Sequence, residues 1–63
     1  MSIAENIKTL REKAGFQQSE LAGKVGVSQA MICKIENGLK TPSLALGRLL
    51  AKELNCTLDD LVQ

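Results

Sequence analysis

The feature that most limits how this chain folds is a three-residue turn, Gly26-Val27-Ser28, between two short helical segments. The first segment runs from about residue 18 to 25, and the second begins after Ser28 and ends at residues 37–38. So short a turn cannot reverse the chain into two long helices packed side by side. It holds the two segments at a steep angle, which is the geometry of a helix-turn-helix.

Helix caps and apolar spacing predict three further helices around this pair. Ser2 and Glu5 form a capping box at the start of the first helix, and Gly15 ends it. Its inner face is predicted to carry Ile3, Ile7, Leu10 and Ala14. In the segments on either side of the turn, the inward residues are Leu21, Ala22, Val25, Ile32 and Ile35.

The last two helices follow a loop that contains Pro42, which disfavours helix at the residue before it. Ser43 caps the fourth helix and Asn55 ends it, while Thr57 and Asp60 cap a short fifth. The apolar stripe of the fourth helix is predicted to be Leu44, Leu50, Ala51 and Leu54.

These segments predict an all-α fold of five short helices in one domain, residues 1–63, with the helix-turn-helix at about 18–37. Hydrophobic residues make up 44% of the 63, which is enough for one compact core. Phe16 is the only aromatic residue, and this composition favours small interlocking helices over a β-sandwich or barrel.

Several classes of function lack the residues that they require. The sequence has no His, and its two cysteines, Cys33 and Cys56, lie far apart without a Cys-x-x-Cys pair. A metal site, a disulfide scaffold and most enzyme chemistries are therefore disfavoured, and no cofactor or small-molecule effector is indicated. No apolar run approaches a membrane span and no signal peptide opens the chain, so we expect a cytoplasmic protein.

Charge is distributed unevenly along a chain whose net charge is only +1. All eight basic residues lie within residues 1–52, which carry a net charge of +4, whereas residues 53–63 carry −3. This polarity would orient a polyanion toward the N-terminal four-fifths of the chain.

The string from residue 18 to 28, followed by Ile32, Ile35 and Glu36-Asn37-Gly38, resembles the Cro and phage-repressor (XRE-type) helix-turn-helix family. Residues 41–44 and 56–61 resemble the later helices of the same family. The resemblance implies a lambda-repressor-like fold and a transcriptional regulator that binds a near-palindromic DNA operator as a homodimer. It also implies that the second helix of the motif lies in the major groove.

In this frame, the resemblance assigns contacts with base edges to Gln29, Ala30, Cys33 and Lys34. Gln29 can bond adenine through both ends of its carboxamide, and Lys34 can bond guanine or simply neutralise a phosphate. Ala30 either packs on a thymine methyl group or is a small residue that lets the groove approach. Cys33 either makes an apolar contact or leaves a base unread.

The resemblance assigns contacts with the DNA backbone to Gln18, Ser28, Asn37, Lys40 and Thr41. Gln18 matches a position that also supports the base-reading Gln29, and Ser28 is chiefly a helix cap. Lys40 and Thr41 lie in the loop that follows the groove helix along the sugar-phosphate chain.

Two further pairs of residues are expected to stabilise the fold or the dimer. Arg11 and Glu36 match a family pair that links the first helix to the end of the third, and we expect them to form a structural ion pair. Leu46 and Leu49 lie off the stripe of the fourth helix and are a candidate dimer surface. Alternatively, Leu46 turns inward, because Gly47 leaves space where the family usually has a larger apolar side chain.

Two classes of function remain open. A DNA-binding regulator is favoured by the polar or basic residues Gln18, Gln29, Lys34 and Lys40, and repression by steric exclusion is favoured over activation because the chain has no separate effector domain. Such a regulator would be a phage-type repressor, a restriction–modification controller or an antitoxin. A protein-interaction module that keeps the fold is favoured by the low net charge and by the small residues at positions 30 and 33.

Overall fold

The computed structural model describes residues 2–63 and contains five α-helices in that part of the chain. They are α1 (Ile3–Ala14), α2 (Gln18–Val25), α3 (Gln29–Glu36), α4 (Leu44–Glu53) and α5 (Leu58–Val62). The predicted all-α fold is confirmed, and each helix begins and ends close to the predicted boundary. Among these residues, no helix is both long enough and apolar enough to cross a membrane.

Side-chain caps define where four of the helices begin. The hydroxyl groups of Ser2, Ser28, Ser43 and Thr57 each accept a hydrogen bond, at 3.1 Å, from the amide three residues later. At the start of α2, the Gln17 N–H donates to Glu20 Oε1 at 3.0 Å. These bonds satisfy amides that have no partner inside the helix, which is why local sequence predicts the helix starts well.

The turn between α2 and α3 depends on a left-handed residue. Gly26 has a φ of 77°, a conformation that glycine adopts without steric cost. The N–H of Val27 then donates to the carbonyl of Ala22 at 3.0 Å, which closes the end of α2. Ser28 caps α3 immediately afterwards, so the steep change of direction is complete within three residues.

One apolar core joins all five helices. Its fully buried large side chains are Ile7, Leu21, Ile32, Ile35, Leu50 and Leu61. α2 and α3 pack against each other, α4 covers α2, and α1 and α5 close the remaining sides. The core therefore holds α3 from behind and leaves its opposite face in solvent.

Two predicted core positions are wrong. Ala14 is exposed, because the last buried residue of α1 is Arg11 and Ala14 lies beyond it, at the end of the helix. Leu44 is 60% exposed, because it is the first residue of α4 and lies at the edge of the molecule.

Asn6 is a buried polar residue whose role the sequence did not reveal. Its Nδ2 donates to the carbonyl oxygens of Leu61 at 3.0 Å and Gln63 at 3.2 Å. The last carbonyls of a helix have no partner inside it, so this one side chain satisfies the end of α5 and fastens it to α1. The five-residue α5 is too short to be stable alone and depends on such contacts.

Gly47 lies where α4 and α5 approach closely. A Cβ atom at this position would lie 3.3 Å from Cδ1 of Leu58, so Leu58 occupies the space beside the missing side chain. Leu46 is half-buried and packs against the edge of the core. The gap predicted beside Gly47 is thus filled from α5, with Leu46 turned partly inward.

We expect Gly47→Ala to raise the free energy of unfolding by less than about 1 kcal/mol, the full difference in helix propensity between the two residues. Leu58 must move by a few tenths of an ångström, and it can because the contact is with the end of a flexible side chain. Gly23→Ala is the matched control, since Gly23 also lies inside a helix but has open space around it. Urea denaturation should give the larger gain for Gly23→Ala. A Gly47→Ala variant less stable than the parent would mean that the α4–α5 contact cannot relax.

Candidate nucleic-acid interface

The outward face of α3 carries the residues predicted to read bases. Ile32 and Ile35 are buried and fix the rotation of the helix. The four predicted residues lie on the other side, where Gln29, Ala30 and Lys34 are exposed and Cys33 is half-buried. The outward face of α3 therefore has polar side chains, Gln29 and Lys34, at its edges and small side chains, Ala30 and Cys33, between them.

The residues predicted to contact the DNA backbone flank this face. Ser28, Asn37, Lys40 and Thr41 are exposed, and Gln18 is half-buried. The Ser28 hydroxyl accepts the Met31 N–H at 3.1 Å, so it acts as the cap of α3. Lys40 and Thr41 lie in the loop between α3 and α4.

Arg11 and Glu36 form an ion pair that joins α1 to the end of α3. Arg11 Nε lies 2.6 Å from Glu36 Oε2, and Nη2 donates to Oε1 at 3.1 Å, so the contact is bidentate. The two side chains are only 11% and 2% exposed. The hydrogen bond to Glu36 raises the pKa of Arg11 above its ordinary value, against the opposing effect of burial.

Two neighbouring groups extend this pair into a network. Arg11 Nη1 donates to the Phe16 carbonyl oxygen at 2.7 Å, just before α2. Gln18 Nε2, at the first position of α2, donates to Glu36 Oε1 at 3.0 Å. The network therefore links α1, the start of α2 and the end of α3, and it fixes α3 relative to the rest of the fold.

Gln18 has a partner that was not predicted. Its bond to Glu36 uses one N–H of the carboxamide, so the support of Gln29 and the contact with the DNA backbone both stay predictions. Neither this bond nor the one from Arg11 to the Phe16 carbonyl was predicted, because both depend on the angle between helices. In the sequence, the signals that residue 18 takes part in such a bond were its polar side chain and its position at the start of a helix.

The two leucines predicted as a dimer surface differ in exposure. Leu49 is 47% exposed, whereas Leu46 is half-buried against the core. The apolar surface available on α4 is therefore Leu49, together with Leu44 at the start of the helix. Other large apolar side chains in solvent are Leu39, at 76% exposure, and Val62, at 57%.

The HTH_3 family model, described as helix-turn-helix, matches residues 7–61. This chain belongs to that helix-turn-helix family. The match includes α2, α3, α4 and most of α1, together with α5 up to Leu61.

Relatives of this helix-turn-helix protein include regulators and an antitoxin. An uncharacterised HTH-type transcriptional regulator of Archaeoglobus fulgidus is 42% identical over 55 residues, which cover 87% of this chain and 79% of that protein. The antitoxin HipB of Escherichia coli strain CFT073 is 40% identical over 60 residues, which cover 92% of this chain and 64% of HipB.

The fold of this helix-turn-helix protein is also similar to a solved repressor. The crystal structure of the P22 c2 repressor in complex with a synthetic operator superposes with a TM-score of 0.95 at 30% identity. The alignment covers 100% of this chain and 96% of the repressor chain. The predicted phage-repressor family and lambda-repressor-like fold are both confirmed.

Proposed function

We propose that this helix-turn-helix protein is a transcriptional regulator that binds a near-palindromic operator in double-stranded DNA as a homodimer and represses transcription by occupying it. The observation that carries this proposal is the solvent-facing side of α3, presented by a chain that matches an operator-bound repressor along its whole length. We further propose a cytoplasmic location, because the DNA that it would bind lies inside the cell.

In this function, α3 enters the major groove and its first residues meet the base edges. Gln29 is the first residue of α3 and is exposed, so its carboxamide is free to bond adenine N7 and N6 together. Lys34 lies about one and a half turns further along and would bond guanine or a phosphate. Ala30 and Cys33 are small and would let the helix approach the bases closely.

The backbone contacts would fix the register of α3 in the groove. The backbone amides at the starts of α2 and α3 and the exposed side chains of Lys40 and Thr41 are suited to phosphate oxygens. The bond from Gln18 Nε2 to Glu36 would hold the start of α2 in place, and the rest of the carboxamide would contact the backbone and support Gln29.

Dimerisation would match the two-fold symmetry of the operator. Two subunits whose α3 helices enter successive major grooves require half-sites about one helical turn apart. The exposed Leu49, with Leu46 at its side, remains the predicted dimer surface.

Selection from a random duplex library at moderate salt, followed by sequencing, tests the proposed function. The expected result is an enriched pseudo-palindrome with half-site centres about 10 base pairs apart. Retention that depends on salt but enriches no sequence would contradict it.

We expect Lys40→Ala to weaken binding by a similar factor on every DNA sequence. Loss of one phosphate contact per subunit should lower the slope of log K against log salt concentration by about 1 for each subunit. Lys8→Ala is the matched control, because Lys8 is an exposed lysine on α1 and is not among the residues predicted to contact DNA. Titrations of a labelled duplex at several salt concentrations measure the slope. An unchanged slope for Lys40→Ala would remove Lys40 from the phosphate-contacting set.

A second candidate function follows from the similarity to the antitoxin HipB. In that case this chain would bind a protein partner, with weak or no DNA specificity. Gln29→Ala distinguishes the two functions, since it would alter operator selectivity in a regulator, whereas an interaction module would have no operator selectivity to alter.

A further inference from the structure

Asn37 lies on the same side of α3 as two of the base-reading candidates. Residues four apart in a helix share a face, which places Gln29, Cys33 and Asn37 in one row along α3. Asn37 follows the last residue of the helix with a φ of −90° and a ψ of 2°, so its backbone continues the row. Its side chain is exposed on that face.

Two hydrogen bonds join Asn37 to Cys33. Its backbone N–H donates to the Cys33 carbonyl at 3.0 Å, as the last bond of the helix. Its side-chain Nδ2 donates to Cys33 Sγ at 3.4 Å. A further hydrogen bond, from the Leu39 N–H to the Lys34 carbonyl at 2.9 Å, closes the end of α3. This bond fixes the backbone around Asn37.

The bond between the side chains determines where the sulfur points. Cys33 turns about a single side-chain torsion, χ1, so selecting the rotamer that brings Sγ to Asn37 fixes the whole side chain. The same bond directs the Asn37 carboxamide back along α3, toward Cys33, and occupies one of its two N–H donors.

We propose that Asn37 is a positioning residue for sequence reading: it holds Cys33 in one rotamer and so sets the preference for the base pair that Cys33 meets. This role replaces the phosphate contact predicted for Asn37. The inference rests on the proposed function of α3 as the helix that reads DNA.

A double-mutant cycle tests the inference. Affinities of the parent protein, Asn37→Ala, Cys33→Ala and the double variant are measured on the selected operator and on operators changed symmetrically at each base pair. We expect Asn37→Ala to lower the preference at one base pair of each half-site by about threefold, the factor that a weak surface hydrogen bond is worth. In the Cys33→Ala background, the same change should have no further effect on preference.

Cys33→Ser provides the matched control, because its hydroxyl also accepts a hydrogen bond from Asn37. Asn37→Ala should therefore alter the preference in the Cys33→Ser background but not in Cys33→Ala. Thermal melts by circular dichroism establish that all variants are folded, as expected for exposed or half-buried positions.

Two results would overturn the inference, and they differ from a failure of the proposed function. An equal loss of affinity on all sequences, with a flatter salt slope, would make Asn37 a phosphate contact. A change in preference that persists in Cys33→Ala would show that Asn37 acts without Cys33. Absence of any preferred operator for the parent protein would instead overturn the proposed function, and this inference with it.

Discussion

Replacing Glu36 by Ala is expected to lower the free energy of unfolding by about 3–5 kcal/mol, the usual cost of removing one partner from a buried ion pair. The Arg11 guanidinium would stay largely buried without its bidentate partner. Gln18 Nε2 would also lose its acceptor. For a 63-residue domain this is a large share of the total stability, so urea unfolding followed by circular dichroism should show a sharply lowered midpoint.

Two control variants distinguish the effect of losing the ion pair from the effect of losing a charged group in general. Glu12→Ala removes an exposed carboxylate from α1 and should change stability by no more than about 0.5 kcal/mol. Arg11→Met combined with Glu36→Leu removes both charges and should recover much of the loss, since no uncompensated charge remains buried. A Glu36→Ala variant about as stable as Glu12→Ala would show that the network does not hold the fold together.

Replacing Gln29 by Ala is expected to abolish discrimination at one base pair in each half-site. A bidentate contact between a side chain and a base is worth about 1–3 kcal/mol of discrimination, so the preference for adenine there should fall by at least about fivefold. Stability should be unchanged, because Gln29 is exposed at the first position of α3. The measurement is the affinity for the selected operator against operators substituted symmetrically at each position.

The control for this variant is another exposed glutamine, Gln63, which lies at the end of α5 and away from α3. Gln63→Ala should keep the full pattern of preferences. If Gln29→Ala instead lost affinity equally on all sequences, Gln29 would contact the backbone rather than a base.

The helices could be predicted because their boundaries depend on local contacts. Ser28, Ser43 and Thr57 each bond an amide three residues away, and Gly26 takes the left-handed conformation expected at the turn. Apart from the Arg11–Glu36 ion pair, which the family resemblance predicted, contacts between distant residues left no such signal. The bonds from Asn6 to the carbonyls of α5 span more than 50 residues, and Leu58 beside Gly47 depends on how closely α4 and α5 pack.

The candidate site, like the fold, could be predicted where it depends on spacing along one helix and not where it depends on contacts between helices. The spacing of Ile32 and Ile35 fixes which side of α3 faces the core, so it also defines the outward face. The partner of Gln18, which is Glu36, is set by the angle between α2 and α3, and sequence spacing does not give that angle. The exposure of Leu44 and Ala14 likewise depends on where the core ends rather than on helical period.

Whether α3 reads an operator is measured by the specificity ratio of the parent protein, which is its affinity for the operator divided by its affinity for unrelated DNA. The measurement is a competition titration at physiological salt, with the selected operator against a scrambled duplex of equal length and composition. A specific operator-binding protein should prefer the operator by at least about 10³-fold. A ratio near one would show that α3 does not read DNA sequence and would favour a protein-interaction module with the same fold.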